Sequence, residues 1–156
     1  MASKLSLETA ARVCANVVSL CKAKGFAPIC VVVCDANGVE LCRMKMDGCP
    51  PIAYPRYALA KATTAVSFGM SSRRFRDKYI SSPDKIVQLQ SMISSLEGKI
   101  CAFPGSVLLS YENGDIAGAV GVSGALSDQD EYLALQAVRN ADCKEMTTEP
   151  SSSPLD

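Results

Sequence analysis

Lys61 is the first residue of this sequence that could do chemistry. It is the only charged residue between Tyr57 and Met70, in an alanine-rich stretch with helical spacing. Its ammonium would therefore either snorkel to the edge of a helix or lie in a partly apolar cavity. In a cavity it would bind the carboxylate of a substrate or cofactor, helped by Thr64 one turn along and by Arg43. No motif supports a Schiff-base role.

Cys49 places a second reactive group, a thiol, in the loop 46–51 beside Asp47. The sequence has eight cysteines and no histidine, which excludes imidazole bases, histidine metal ligands and histidine-ligated haem. Without a histidine or a neighbouring cation, Cys49 is disfavoured as a nucleophile, but thiolate ligation of a haem iron is chemically allowed. The cysteine spacings match no zinc or iron–sulfur pattern, so we predict no metal site.

The cysteines also indicate a cellular compartment. Most of them occupy apolar positions, so we interpret them as small core residues with free thiols in a reducing environment. The N-terminal residues lack the apolar segment of a signal peptide, and no apolar run reaches the roughly 18 residues of a membrane span. We therefore expect a cytoplasmic protein without a membrane partner.

Composition limits the other partners. Sixteen basic and sixteen acidic residues give a formal net charge of zero, which disfavours binding to a nucleic-acid backbone. The 156 residues, 48% of them hydrophobic, are enough for one domain with an aliphatic core. Gly118, Gly121 and Gly124 do not have nucleotide-binding spacing, so we interpret 118–124 as a strand that another backbone or a flat ligand approaches closely.

The elements that must position these residues alternate between helices and hairpins. Helices are predicted over 6–25, 54–69, 71–75, 82–96 and from 127 onwards, and hairpin turns at 35–38 and 112–115. Apolar runs at 100–103 and 106–111 flank Pro104–Gly105. Ser127 and Asp130 resemble a capping box at the start of the last helix.

This order of elements predicts an α+β fold with an antiparallel sheet and helices packed against it. The sheet and helices are expected to form a single domain over residues 1–143. The residues from 144 to 156 are rich in serine, threonine and proline, which predicts a disordered tail.

Taken together, the motifs of this sequence resemble the GlcG/HbpS family, haem-binding-like proteins related to the C-terminal domain of PduO-type corrinoid adenosyltransferases. The resemblance extends over about residues 5 to 141, in the family's order and spacing. Its motifs lie at Cys34–Gly38, Arg43, Met46–Gly48, Pro51–Ala53, Lys61–Ala65, Pro104–Gly105, Gly118–Gly124 and Gln129–Asp130.

The resemblance implies a profilin-like fold, with a central antiparallel β-sheet flanked by α-helices. It also implies assembly into dimers, tetramers or octamers with ligand pockets near subunit interfaces. Family members are described as binding haem or corrinoid, or as accessory proteins in glycolate and diol catabolism, and a few are similar to hydrolytic enzymes. Where members often carry a histidine after the first hairpin turn, this sequence has Val39, so a haem or corrinoid here would be bound without a histidine ligand.

The same resemblance carries over candidate ligand-binding residues. Those that match the family pattern are Lys61, Thr64, Gly121, Ser123 and Asp130. The family's Pro-Gly-Gly turn is retained as Pro104–Gly105–Ser106, which adds Gly105 to the candidates.

Three functions are consistent with these observations. The first is an oligomeric small-molecule-binding protein that holds haem, corrinoid or another acidic ligand through Lys61, Thr64 and Arg43, with Cys49 as a candidate iron ligand. The second is an enzyme of small organic acid catabolism that uses Lys61 or Asp130 in proton transfer. The third is a structural or interaction oligomer without a ligand.

Overall fold

Residues 4–156, which the computed structural model describes, form a five-stranded antiparallel sheet with helices on both faces. In chain order the elements are α1 (Leu7–Lys24), β1 (Cys30–Asp35), β2 (Glu40–Lys45), α2 (Ala53–Phe68), α3 (Ser72–Tyr79), α4 (Pro83–Ser95), β3 (Ser106–Tyr111), β4 (Ile116–Ser123), α5 (Ser127–Arg139) and β5 (Met146–Glu149). The strands lie in the order β2-β1-β4-β3-β5, each antiparallel to its neighbours. The predicted α+β class is thus confirmed.

The first helix and the first hairpin follow from local signals in the sequence. Ser6 caps α1 through its hydroxyl, and Gly25 ends the helix with a left-handed φ of 67°. In the β1–β2 turn, the Asp35 carboxylate accepts the N–H groups of Asn37 at 2.9 Å and Val39 at 3.0 Å. Both predicted elements are confirmed.

Gly121 allows α2 to lie directly on β4. A Cβ added at Gly121 would lie 2.0 Å from the carbonyl oxygen of Ala58 and 2.9 Å from the nitrogen of Ala62. The side of α2 that faces the sheet is correspondingly made of fully buried alanines. The segment 118–124 is therefore a strand that another backbone approaches closely, as the glycine pattern predicts.

The two faces of the sheet are packed with different residues. α1 and α5 cover one face, where the core consists mainly of valine and leucine: Val13, Val17, Val31, Val33, Val107, Leu109, Val120, Val122, Leu133, Leu135 and Val138. α2 covers the other face, with smaller clusters that contain Ala58, Ala62, Ala65, Ala119, Cys30 and Cys34. α3 and α4 lie beyond α2 around a fourth cluster at Phe75.

α3 is fixed to its neighbours by an aromatic stack and an ion pair. Phe75 stacks on Phe68 of α2 with ring centroids 4.6 Å apart, and Tyr79 lies 4.9 Å away on its own helix. Arg73 binds the fully buried Glu131 of α5 at 2.9 Å. Burial raises the pKa of the Glu131 carboxyl, and the Arg73 guanidinium opposes that rise.

The start of α5 differs from the predicted capping box. Leu126 occupies the N-cap position, and its N–H is accepted by the side chain of Gln129 at 3.1 Å. Ser127 is already the first helical residue. The Asp130 carboxylate accepts the N–H of Ala125 instead, at 3.0 Å, which satisfies a backbone donor ahead of the helix.

Two further segments differ from the sequence-based expectation. Residues 100–103 are irregular rather than extended, because the N–H of Cys101 is taken by the Thr64 hydroxyl at 2.8 Å instead of by a strand. Within the predicted tail, β5 pairs with β3, and Asp156 forms an ion pair with Arg139 at 3.0 Å. The segment 144–156 therefore has an ordered place at the sheet edge, because β3 offers it a row of backbone partners.

Candidate functional site

Lys61 and Asp130 meet inside the protein, at the end of the sheet where β4 leads into α5. The Lys61 ammonium lies 3.1 Å from Asp130 Oδ2 and donates to the carbonyl oxygen of Val122 at 2.9 Å. The two side chains are only 5% and 3% exposed. Lys61 therefore does not snorkel, since its charge is paired in the interior.

Burial perturbs the acid of this pair. Loss of solvent raises the pKa of the Asp130 carboxyl to about 6, although the Lys61 charge and the N–H of Ala125 pull it down. Near neutral pH the pair is thus an aspartate and an ammonium with little net charge. Below that pKa the carboxyl takes up a proton and the site gains a positive charge.

Gly105 leaves room for the Lys61 ammonium. Its φ of 141° favours glycine, and a Cβ there would lie 2.7 Å from Lys61 Nζ and 2.6 Å from the carbonyl oxygen of Val122. The contribution of the Pro104–Gly105 turn is therefore steric, because the absence of a side chain at Gly105 leaves the volume that the Lys61 ammonium occupies.

Thr64 contributes to the site by hydrogen bonds to the backbone, not by contact with the cavity. Its hydroxyl donates to the carbonyl oxygen of Ala60 at 2.7 Å and accepts the N–H of Cys101 at 2.8 Å. Because both of these bonds go to backbone groups, Thr64 holds the segment 100–103 against α2 and does not point a donor at a ligand.

A cavity of about 230 Å³, named the polar cavity for the side chains of Lys61, Ser123 and Asp130 in its wall, opens beside the Lys61–Asp130 pair. It is lined by Tyr54, Tyr57, Lys61, Cys101, Phe103, Ser123, Ala125, Ser127 and Asp130. Ser123 is only 4% exposed, yet its hydroxyl has no hydrogen-bond partner among residues 4–156. The Lys61 ammonium uses two of its three protons within the protein. The cavity therefore has an unpaired hydroxyl and an unused ammonium proton in its wall.

A second, apolar cavity of about 430 Å³ adjoins the first. Its lining residues are Tyr57, Ala60, Arg76, Ile80, Leu89, Ile93, Gly98, Ile100, Cys101, Ala102 and Phe103. Tyr57, Cys101 and Phe103 belong to both linings, so the two cavities share a wall. Arg76 is the one charged residue among those that line the apolar cavity in the described chain.

Two sequence candidates lie elsewhere. The Arg43 guanidinium binds the Glu40 carboxylate through two bonds, of 2.6 and 2.9 Å, on the exposed strand β2. Cys49 is 2% exposed and packs in the cluster with Ala58. Neither residue lines either of these cavities.

The structure instead adds residues that the motifs did not single out. Cys101 and Phe103 directly precede the Pro104–Gly105 turn, and Tyr57 lies four residues before Lys61 on α2. Helical neighbours at that spacing share a face, so Tyr57 could have been found from the sequence. Cys101 could not, because its place depends on the irregular course of 100–103.

Residues 4–156 contain neither a metal-binding cluster of side chains nor a membrane-spanning helix. No group of three or more histidine, cysteine, aspartate or glutamate side chains there could hold a metal ion. In the same part of the chain, every helix is too short or too polar to cross a membrane.

Comparisons with known proteins find matches over almost the whole chain. A family model described as haem degrading protein HbpS-like matches residues 5–139. A crystal structure of a PduOC:heme complex has a TM-score of 0.79 and 25% sequence identity, and the alignment covers 94% of this chain and 99% of that one. Curated protein sequences give no significant match.

Two more solved structures share the fold. A double mutant of HbpS from Streptomyces reticuli has a TM-score of 0.72 and 24% identity, covering 91% of this chain and 89% of its own. The protein ORFY from Klebsiella pneumoniae has a TM-score of 0.75 and 23% identity, covering 90% of this chain and 92% of its own. These neighbours have the predicted fold of a central sheet flanked by helices.

Proposed function

This chain belongs to the HbpS-like family, and from that premise we propose that it is an oligomeric small-molecule-binding protein whose ligand is an acidic, flat and largely apolar molecule, with haem as the foremost candidate. The observation that carries the proposal is the pair of adjoining cavities, one polar and one apolar, with a common wall of Tyr57, Cys101 and Phe103. A ligand that spans both must combine a polar group with an apolar body.

The polar cavity supports recognition of an acid. A carboxylate there would accept the third proton of the Lys61 ammonium and the hydroxyl proton of Ser123, both unpaired in the protein itself. Because the charge of Lys61 is balanced by Asp130, the acid is held mainly by these hydrogen bonds at neutral pH. Protonation of Asp130 at lower pH leaves the Lys61 charge uncompensated and strengthens binding of an anion.

The apolar cavity supports binding of a hydrophobic body. Its walls come from α2, from α3 and the residue that follows it, from α4 and from the segment 98–103, and its volume of about 430 Å³ lies in the range of small-molecule sites. Haem fits this donor set in three respects: an apolar cavity for its body, the Lys61 ammonium in the polar cavity for a carboxylate, and a thiol in the shared wall. When bound, its iron would supply redox and ligand-binding chemistry. The similar PduOC structure is a complex with haem.

Exposed apolar side chains at the mouth of the cavities support self-association. Phe103 is 62% exposed, Leu126 is 71% exposed, and Tyr57 is 48% exposed, all on or next to the cavity linings. A second copy packed there would remove this surface from water and close the ligand site. Light scattering of the wild type should show a dimer or larger, and Phe103→Asp with Leu126→Asp should shift it toward monomer.

Titration with ferric haemin tests the ligand. The wild type should give a saturable change in the Soret band and a higher melting temperature, because a ligand that binds only the native state stabilises it. Lys61→Met should weaken haem binding at least tenfold, or about 1.4 kcal/mol, and Ser123→Ala by less. Lys45→Met is the matched control, because Lys45 lies on β2 and lines neither cavity.

Two outcomes would contradict this proposal. Wild-type protein that shows neither saturable binding nor thermal stabilisation with haemin or a cobalamin would exclude tetrapyrroles. Equal haem affinity in Lys61→Met and Lys45→Met would show that the polar cavity is not part of the binding site, even if a tetrapyrrole binds elsewhere on the protein.

A second candidate function is favoured by one observation, the position of the Lys61–Asp130 pair in a cavity wall. A carboxyl with a pKa of about 6 can both accept and release a proton near neutral pH. We propose as the alternative that Asp130 transfers a proton to or from a small organic acid. A screen of such acids should then find turnover that falls in Asp130→Asn, with a rate profile in pH that follows the carboxyl.

A further inference from the structure

Cys101 lies at the junction of the two cavities. It is 8% exposed and belongs to both linings, in the irregular segment between α4 and β3. The hydrogen bond of its N–H to the Thr64 hydroxyl, at 2.8 Å, fixes the backbone of this segment to α2. The thiol is therefore held in place in the wall that a ligand spanning both cavities must touch.

Burial keeps the free Cys101 thiol protonated, and two groups beside the sulfur oppose that effect. Burial raises the pKa of the thiol, but the Lys61 charge and the backbone N–H of Phe103, which donates to the sulfur, both lower it. A backbone N–H and a nearby cation are the groups that stabilise sulfur once a metal has displaced its proton. Burial also raises the Cys49 pKa, with Lys45 opposing the rise, so the two cysteines differ in position: Cys49 borders neither cavity.

The other donors in the cavity walls are less suited to an iron. The Lys61 ammonium is paired with Asp130 and Val122, and Tyr57 is about half exposed at the mouth. The sequence has no histidine. Independently of the cysteine, Ser123 is 4% exposed, and its hydroxyl opens into the adjoining polar cavity without a partner among residues 4–156, so it is available to a ligand there.

We propose that the thiolate of Cys101 is the protein ligand to the haem iron. This rests on the proposed function, since it names the residue of the same site that binds the metal. As the sulfur–iron bond forms, the thiol proton goes to solvent and a water or chloride leaves the ferric iron. The oxidation state of the iron does not change.

The test compares Cys101→Ser with Cys49→Ser, two buried cysteines changed in the same way, after loading the full chain with ferric haemin. Wild type and Cys49→Ser should both give the electron paramagnetic resonance spectrum of thiolate-ligated ferric haem, and after reduction the strongly red-shifted Soret band of its carbon monoxide complex. Cys101→Ser should lose both signatures and bind haem at least tenfold more weakly. Cys101→Ala is the second variant if the serine protein does not fold.

The outcomes separate this inference from the proposed function. Haem-loaded wild type without a thiolate signature overturns the assignment of Cys101 and leaves haem binding intact, and this result needs no variant to fold. Loss of the signature in Cys49→Ser with its retention in Cys101→Ser would move the ligand to Cys49. Wild type that binds no haem would refute both the assignment and haem as the ligand.

Discussion

On the α1–α5 side of the sheet, valine and leucine fill the space between the layers, whereas on the α2 side the interior holds a lysine and a threonine, and two cavities open near it. The contrast is physical as well as compositional. Burial of aliphatic side chains stabilises the fold by roughly 25 cal/mol for each Å² removed from water. A buried ion pair such as Lys61–Asp130 must overcome the desolvation of two charges and adds little net stability.

Stability depends mainly on the aliphatic face, whereas the proposed binding site lies on the other face. The aliphatic face stabilises a sheet whose other face can then carry unpaired donors and empty volume. The two are linked at α5, which packs Leu133 and Leu135 into the aliphatic core and supplies Asp130 from its first turn to the cavity. Variants on each face should therefore separate the two properties.

The largest effect on stability is expected from Leu133→Ala, which would leave a cavity in the fully buried aliphatic core. The free energy of unfolding should fall by about 2–5 kcal/mol in urea denaturation. Leu7→Ala, at an exposed leucine of α1, should change it by less than about 0.5 kcal/mol. Haem affinity should be unchanged. A loss of affinity as large as in Lys61→Met would mean that the faces are not separable.

Gly121→Ala should disrupt the packing of α2 on β4, because it adds volume on this face of the sheet, whereas Leu133→Ala removes volume on the other. The new Cβ would overlap the carbonyl of Ala58, so α2 must move and carry Lys61 with it, at about 3 kcal/mol. Both melting temperature and haem affinity should drop. Gly114→Ala is the control, because it has a positive φ but open space around it, and strain alone is worth about 1 kcal/mol. Equal effects of the two variants would contradict the close contact of α2 with β4.

A smaller effect is expected in the pH dependence of stability, to which the buried Asp130 beside the cavity contributes. The pKa of Asp130 is raised from 3.8 to about 6 in the folded protein, so its contribution to stability is fully present below the lower value and is lost as pH rises through the higher one. Relative to Asp130→Asn, the wild type should become less stable across that window in urea denaturation. The raised pKa of Glu131 acts in both proteins and cancels. A difference in the free energy of unfolding between the two proteins that does not change with pH would contradict the raised pKa of Asp130.

The smallest effect is expected from Arg43→Ala. Its partner Glu40 is partly exposed, and pairs of that kind contribute less than about 1 kcal/mol. Haem affinity measured by Soret titration should equal that of the wild type, because Arg43 lines neither cavity. A tenfold loss of affinity would restore the interpretation of Arg43 as an acid-binding residue.

The sequence predicts the parts of this fold that depend on neighbouring residues. The Ser6 and Gly25 helix ends and the Asp35 turn are formed by groups within four residues of each other, and they appear where the sequence places them. The resemblance to the GlcG/HbpS family placed Lys61 and Asp130 among the candidates, although they are 69 positions apart in the chain.

The other features of the fold and of the site depend on contacts between residues far apart in the chain, which a local sequence pattern cannot predict. Cys49 and Cys101 are both buried cysteines, and which of them borders a cavity is decided by the course of 100–103, itself set by Thr64, 37 positions away. The strand in the predicted tail forms because the distant β3 edge offers it partners. The partner of Arg43 could not be predicted either. Arg43 pairs with Glu40 of the same strand, β2, and not with a ligand, because of where β2 lies in the folded sheet.

The place of β5 at the sheet edge bears on how the chain folds during synthesis. β5 is the last strand in chain order and covers β3, whose Val107, Leu108 and Leu109 are buried in the folded protein. Until β5 has been made and has paired, β3 presents an open and strongly apolar edge that could pair with β3 of another copy. A nascent chain is therefore open to aggregation through β3 during the interval between the emergence of these two strands.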